Sequence, residues 1–151
     1  TPRGITDEDI ELLRSVRRQI IVIPLIGTGG GLGIGFGELS TTSSAFNRIG
    51  KIRINKNDFP SKNLTVTFRF DIIGRVDSGQ TGSARLVDVT GTPTTLATLS
   101  FNTTSDSLKN FDITSVLGFG DRILDVQFAR TVGSGTNKAY LSHASIFYSG
   151  D

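Results

Sequence analysis

The chain has 151 residues, among them eighteen glycines, one histidine and no cysteine, methionine or tryptophan. That length suits one domain able to bury roughly 68–70% of its unfolded surface, and the inventory excludes disulfides, thiolate metal sites, thiol nucleophiles and any multi-histidine metal site within the chain. Charged residues make up 20% and hydrophobic residues 36%, which is the composition of neither a disordered tail nor a membrane span.

Sixteen Lys and Arg against fourteen Asp and Glu leave a net charge of +2, short of a nucleic-acid-binding composition. Residues 1–75 hold eleven basic and seven acidic side chains, and residues 76–151 hold five and seven. A basic amino-terminal half beside an acidic remainder suits self-association or docking on an acidic surface, with ordinary surface scatter as the alternative. Thr1-Pro2-Arg3 has no apolar stretch of signal-peptide form behind it, and no apolar run reaches the ~20 residues of a membrane helix. The absence of Met before the small Thr1 fits removal of an initiator, and the chain is expected to be close to a whole gene product.

In chain order, the first expected element is a short helix over 7–18. Thr6 suits an N-cap, Asp7, Glu8 and Asp9 occupy the first turn, and Arg14, Arg17 and Arg18 occupy the last turns, as the helix dipole favours. Ile5 and Ile10 have the spacing of a hydrophobic staple, and Leu12, Leu13, Val16 and Ile20 form an apolar stripe. A helix this short needs a surface to dock on. Residues 1–24 therefore read as a helical arm and docking segment, using Ile10, Leu13, Val16 and Ile20 as contacts and Arg14, Arg17 and Arg18 for acidic partners. Residues 25–151 read as the main domain.

From residue 19 onward the pattern changes to short strands. They are expected at 19–26, 48–54, 64–72, 83–90, 95–101, 107–114, 122–130 and 138–148, about eight in all. In 64–72 the set Leu64, Val66, Phe68, Phe70, Ile72 alternates with Thr65, Thr67, Arg69, Asp71, a half-buried strand with period two. Leu124, Val126 and Phe128 form the buried set of 122–130. Gly/Ser/Thr/Asn/Asp clusters and Pro93 supply the turns. With no helical patterns between the strands, the fold class is all-β: an antiparallel β-sandwich of jelly-roll type with a short amino-terminal helix.

Between the first two strands lies Gly27-Thr-Gly-Gly-Gly-Leu-Gly-Ile-Gly-Phe-Gly37, holding seven of the eighteen glycines. No triple of them satisfies the dinucleotide-binding spacing, and the single Gly-Lys pair, Gly50-Lys51, lacks the rest of a P-loop. Gly31, Gly33, Gly35 and Gly37 instead share one face of an extended segment, with Leu32, Ile34 and Phe36 on the other. A glycine-only face permits close approach of another backbone, so the segment is expected at an inter-subunit contact, ahead of a flexible connector or a ligand loop.

The charged and aromatic candidates are few. Arg48, Lys51, Arg53, Lys56 and Lys62 could face a phosphate or acidic partner, but they read first as a solvated strand face opposite Ile52 and Ile54, with no interleaved aromatics for base stacking. His143, without a G-x-S-x-G elbow, reads as structural. The scattered Asp residues and Glu38 form no carboxylate pair, and Asp121 and Asp125 lack a calcium loop. No catalytic constellation, cofactor site or metal site is expected. A sugar would need an exposed ring, and Tyr140 and Tyr148 are the candidates for glycan contact.

Residues 83–100 (Ser-Ala-Arg-Leu-Val-Asp-Val-Thr-Gly-Thr-Pro-Thr-Thr-Leu-Ala-Thr-Leu-Ser), 120–130 (Gly-Asp-Arg-Ile-Leu-Asp-Val-Gln-Phe-Ala-Arg) and 133–147 (Gly-Ser-Gly-Thr-Asn-Lys-Ala-Tyr-Leu-Ser-His-Ala-Ser-Ile-Phe) share a style. It consists of a hairpin, an extended strand, a Gly/Thr loop and a closing strand. It resembles jelly-roll modules of tailed-bacteriophage virion proteins, such as head decoration proteins, head fibres and tail-fibre or neck appendages, across roughly 63–148. The Phe/Gly-rich closing strand is also similar to trimeric C1q-like and tumour-necrosis-factor-like domains. These resemblances imply a non-enzymatic virion subunit, a homotrimer attached to a major capsid protein or another virion protein. No cofactor and no nucleic-acid or membrane partner is expected. A glycan- or receptor-binding module is the alternative.

Overall fold

The computed structural model describes residues 4–8, 19–25, 38–59 and 66–150. Nine strands follow in order: β1 (Gln19–Pro24), β2 (Leu39–Thr41), β3 (Asn47–Asn55), β4 (Thr67–Val76), β5 (Thr81–Asp88), β6 (Thr94–Phe101), β7 (Ser107–Asp112), β8 (Asp121–Val132) and β9 (Ala139–Gly150), with one turn of 3-10 helix at Lys56–Asp58. One sheet runs β1-β9-β4-β7, with β2 also on β9; the other runs β3-β8-β5-β6. Every pairing is antiparallel.

The pairings are nested: β1 and β2 with β9, β3 with β8, β4 with β7, β5 with β6. The chain is therefore one long hairpin, its tip at residues 89–93, rolled so that its successive strand pairs alternate between two sheets. That is a jelly roll, the expected fold class. The expected strands are present with shifted ends. The additional strand is β2, whose three residues pair with 139–141 while β1 pairs with 145–150. Sequence patterning could not see it, because three residues carry no period.

Alternation fills the core. Phe68, Phe70 and Ile72 from β4 and Leu124, Val126 and Phe128 from β8 are buried, as their spacing required. Each such side chain contributes about 1.5–3 kcal/mol by leaving water. The Phe101 ring packs against both sheets: a Cβ on Gly74 of β4 would stand 2.6 Å from it, and a Cβ on Gly82 of β5 would stand 2.5 Å away. Glycine at both positions is what lets one ring lie against both sheets.

Two expectations need correction. The boundary at residue 24 cuts through the sandwich, because Gln19–Pro24 is a paired strand of the first sheet and Leu25 is buried in the core. Only residues before 19 can be an arm. Tyr148 is no surface ring: it is fully buried, 4.8 Å from Phe59 and 5.2 Å from Phe68 between ring centroids. Of the expected helix, Asp7 and Glu8 have helical backbone and residues 9–18 lie outside the described residues, as do Gly31, Gly33, Gly35 and Gly37. Among the described residues no helix is long and apolar enough to cross a membrane.

Candidate functional site: the outer face of the β1-β9-β4-β7 sheet

The outward positions of this sheet follow from register. Since Phe68, Phe70 and Ile72 point inward, their partners Tyr148, Ile146 and Ala144 do too, and so do Ile21 and Ile23 of β1. The opposite face then carries Ile20, Val22 and Pro24 of β1, Phe147 of β9, Ile73 of β4 and Leu108 of β7. Ile20 is 61% exposed, Val22 53% and Leu108 64%. Aliphatic side chains at both edges of the sheet thus stand in water, on a face with a polar centre.

That centre is rigid. Arg69 donates from Nε to Asp71 Oδ1 at 2.6 Å and from a terminal nitrogen to Oδ2 at 2.8 Å, a two-pronged pair between neighbours two apart on one strand face. The hydrogen bond to Asp71 raises the Arg69 pKa, so the guanidinium stays charged. Its plane lies 4.4 Å from the centre of the Phe147 ring, which fixes both side chains. Beside them His143 Nε2 and Ser145 Oγ are 2.8 Å apart, so the one histidine has a structural partner. At the β7 edge, Asp112 Oδ1 accepts from Thr114 Oγ1 at 2.6 Å and Thr114 N at 2.9 Å. Those bonds hold its carboxyl below the ordinary value of 3.8.

On the outer face of the other sheet several charges are paired, although Asp125 Oδ1 is buried without a hydrogen-bond partner. Arg53 binds Asp121, Lys51 lies 3.8 Å from Asp125, and Arg85 donates to Gln127 at 2.6 Å beneath the Phe46 ring. The segment before β3 meets β8, with Ser43 O accepting from Arg130 N at 2.8 Å. Lys56 donates to Thr114 O and Leu117 O, both at 2.8 Å. Within the basic run Lys51 and Arg53 are thus ion-paired on the strand face, Lys56 is tied to backbone carbonyls, and Lys62 lies outside the described residues. Asp121 is held low by Arg53 and Asn55 and Asp125 faces Lys51, so neither carboxylate is arranged as a cation ligand. Among the described residues no three His, Asp or Glu side chains come together.

Of the candidates named from sequence, the structure places Ile20 on the exposed face and leaves Ile10, Leu13, Arg14, Val16, Arg17 and Arg18 outside the described residues. The two tyrosines separate. Tyr140 points outward, with the Arg75 guanidinium 3.9 Å from its ring centre and Arg75 forked onto Glu38 at 2.8 and 2.7 Å. Burial and Asp77 raise its hydroxyl pKa, and one ring face is already covered. Tyr148 has the same parity but points inward, because β9 skips Ser142 where Ile73 pairs with His143 and Gly74 with Leu141. That bulge reverses the alternation. Sequence reasoning missed Val22, Leu108, Phe147 and the exposed ring of Phe119, which is 70% exposed in the loop between β7 and β8. Gly118 and Gly120 on either side of Phe119 were the available signal.

No family model matches the chain, and no curated protein matches it in sequence. Solved structures do match. An infectious bursal disease virus Gt strain structure superposes with a TM-score of 0.51 at 12% identity over 89% of this chain and 32% of that one. A VP2 subviral particle of the same virus gives 0.52 at 11% identity over 89% and 33%. The chain spans about a third of the length of these viral chains. A carbohydrate-binding module, CBM36 in complex with calcium and xylotriose, gives 0.42 at 16% identity over 86% and 98%. The viral matches share the fold.

Proposed function

We propose that the chain is a non-enzymatic virion structural protein, a capsid-decoration (cement) or head-fibre or appendage subunit that oligomerises and attaches through residues 1–18. The observation that carries this reading is the outer face of the β1-β9-β4-β7 sheet. Ile20, Val22 and Leu108 are more than half exposed there, around a preformed Arg69–Asp71 pair. An apolar rim about a rigid, neutralised polar centre suits a protein contact. Two further supports are the fold shared with VP2 of a subviral particle and the tailed-phage style of residues 83–147. The subunit should run as a stable oligomer, with a trimer expected, in light scattering, and should cosediment with capsids. Val22→Asp should abolish association while leaving the circular dichroism spectrum unchanged. A monomer that ignores capsids overturns the reading.

A glycan-binding module is favoured by a different observation, the Phe119 ring, 70% exposed between two glycines, with Lys56 Nζ 4.5 Å from its centre. Such a ring can stack a sugar. On that reading a glycan array shows saturable binding that Phe119→Ala removes and Tyr148→Phe leaves intact. A blank array overturns it.

A further inference from the structure

Hydrogen-bond direction singles out one row of the β3-β8-β5-β6 sheet. Leu124, Val126 and Phe128 of β8 point into the core, so Gln127 points outward. Register sets Arg48 of β3 on one side of it and Arg85 of β5 on the other, with Thr98 of β6 beyond Arg85. Directly opposed residues have Cβ atoms about 4.5–5.5 Å apart, so the two guanidinium groups and the carboxamide between them can reach one small group. Arg48 and Thr98 are exposed, and Arg85 and Gln127 are half-buried.

These side chains are arranged to donate. Arg85 Nε donates to Gln127 Oε1 at 2.6 Å, which commits that oxygen and leaves the Gln127 amide nitrogen as a donor. Arg85 Cζ lies 4.0 Å from the centre of the Phe46 ring, so the guanidinium is held from two sides. Among the described residues, the terminal nitrogens of Arg85, the Arg48 guanidinium and the Gln127 amide nitrogen have no acceptor. The neighbouring cations of β3 are matched, Lys51 lying 3.8 Å from Asp125 and Arg53 binding Asp121. Arg48 and Arg85 are thus the uncompensated charges of the row. Donors without acceptors suit an anion that only accepts, and guanidinium forks match the two oxygens of a carboxylate. A protein bearing carboxylates would find no apolar anchor here, because Arg48, Gln127, Arg85 and Thr98 are all polar. An acidic sugar brings a carboxylate for the arginines and hydroxyls for Thr98.

We propose that Arg48, Gln127 and Arg85 form a carboxylate-binding site for an acidic polysaccharide, with Thr98 hydrogen-bonding to a sugar hydroxyl. This rests on the glycan-binding reading above, and it adds the acidic class of sugar and a contact separate from Phe119.

Isothermal titration calorimetry of the full-length chain with oligogalacturonate tests this, with the methyl-esterified oligomer and oligoglutamate as comparisons. The acid oligomer is expected to bind saturably, and more weakly as salt is raised, while the other two do not bind. Arg48→Gln and Arg85→Gln should each weaken binding about tenfold or more, the effect of losing charge-assisted hydrogen bonds. Arg53→Gln, whose charge Asp121 already matches, should leave it unchanged. Arg48 is exposed and without a hydrogen-bond partner among the described residues, so its variant keeps the test decisive if Arg85→Gln disturbs the fold. No binding of oligogalacturonate overturns the proposal, and so does binding that Arg48→Gln leaves untouched. Equal binding of the methyl ester removes the acid, equal binding of oligoglutamate assigns the row to a protein, and an equal loss in Arg53→Gln marks diffuse attraction; each overturns it. A glycan array separates the two readings. Neutral-sugar binding that Phe119→Ala removes leaves the glycan-binding module standing without this site, whereas a blank array with no calorimetric signal removes both.

Discussion

Tyr148 and Tyr140 differ by eight positions, an even number, and an unbroken strand would put both on one face. One skipped residue, Ser142, places them on opposite faces. Glycines set positions just as sharply. Gly82 tolerates no Cβ, since it would stand 2.5 Å from the Phe101 ring and 2.9 Å from the Ala139 side chain. Gly82→Ala must therefore push Phe101 out of its seat against Gly74, and urea denaturation should show a loss of about 1–3 kcal/mol. Gly91→Ala, where nothing lies within 4 Å, serves as the neutral comparison. The inward set Phe68, Phe70, Ile72 and Leu124, Val126, Phe128 was legible from period two alone. The seat of Phe101 was not, because Gly74 and Gly82 belong to different sheets and no local pattern joins them.

At the scale of elements, the loop between β8 and β9 is held by one cation. Arg130 is buried, and one terminal nitrogen donates to Ser134 O, Gly135 O and Asn137 O. Gln80 reaches across from the β4–β5 turn to accept from Ser134 N at 3.0 Å, beside Gly133 at φ +155. Arg130→Ala strands those acceptors, at a cost of about 1–3 kcal/mol. Amide exchange in residues 133–138 should accelerate while the β4 amides stay protected. The turn itself was evident from Gly133-Ser-Gly-Thr-Asn137. Its lock was not, since Arg130 looks like any strand arginine until the sheet brings the loop carbonyls round it.

For the whole molecule, acid stability has a definite sign. Asp112 and Asp121 are both held below 3.8, by the Thr114 hydroxyl and by Arg53 respectively. Each carboxylate ionises more readily folded than unfolded, so its stabilisation is complete above 3.8 and is lost as pH falls through the lower folded values. Denaturation midpoints should be level with respect to these two groups from neutral pH down to that value, then decline. Asp112→Asn with Asp121→Asn should flatten the decline; an unchanged acid limb would show that neither bond matters.

Composition and period two by themselves determined an all-β sandwich and most of its strands, along with the inward residues of β4 and β8. Those properties depend on near neighbours along the chain, where a side chain's direction follows from the residue beside it. Tertiary structure alone decided which outward residues form a continuous surface. Ile20, Val22, Phe147, Ile73 and Leu108 come from four strands far apart in sequence, and only the nested jelly-roll pairing sets them on one face. It also assigned residues 19–24 to the sheet, because membership in a sheet requires a partner, and the partner of β1 lies at the far end of the chain.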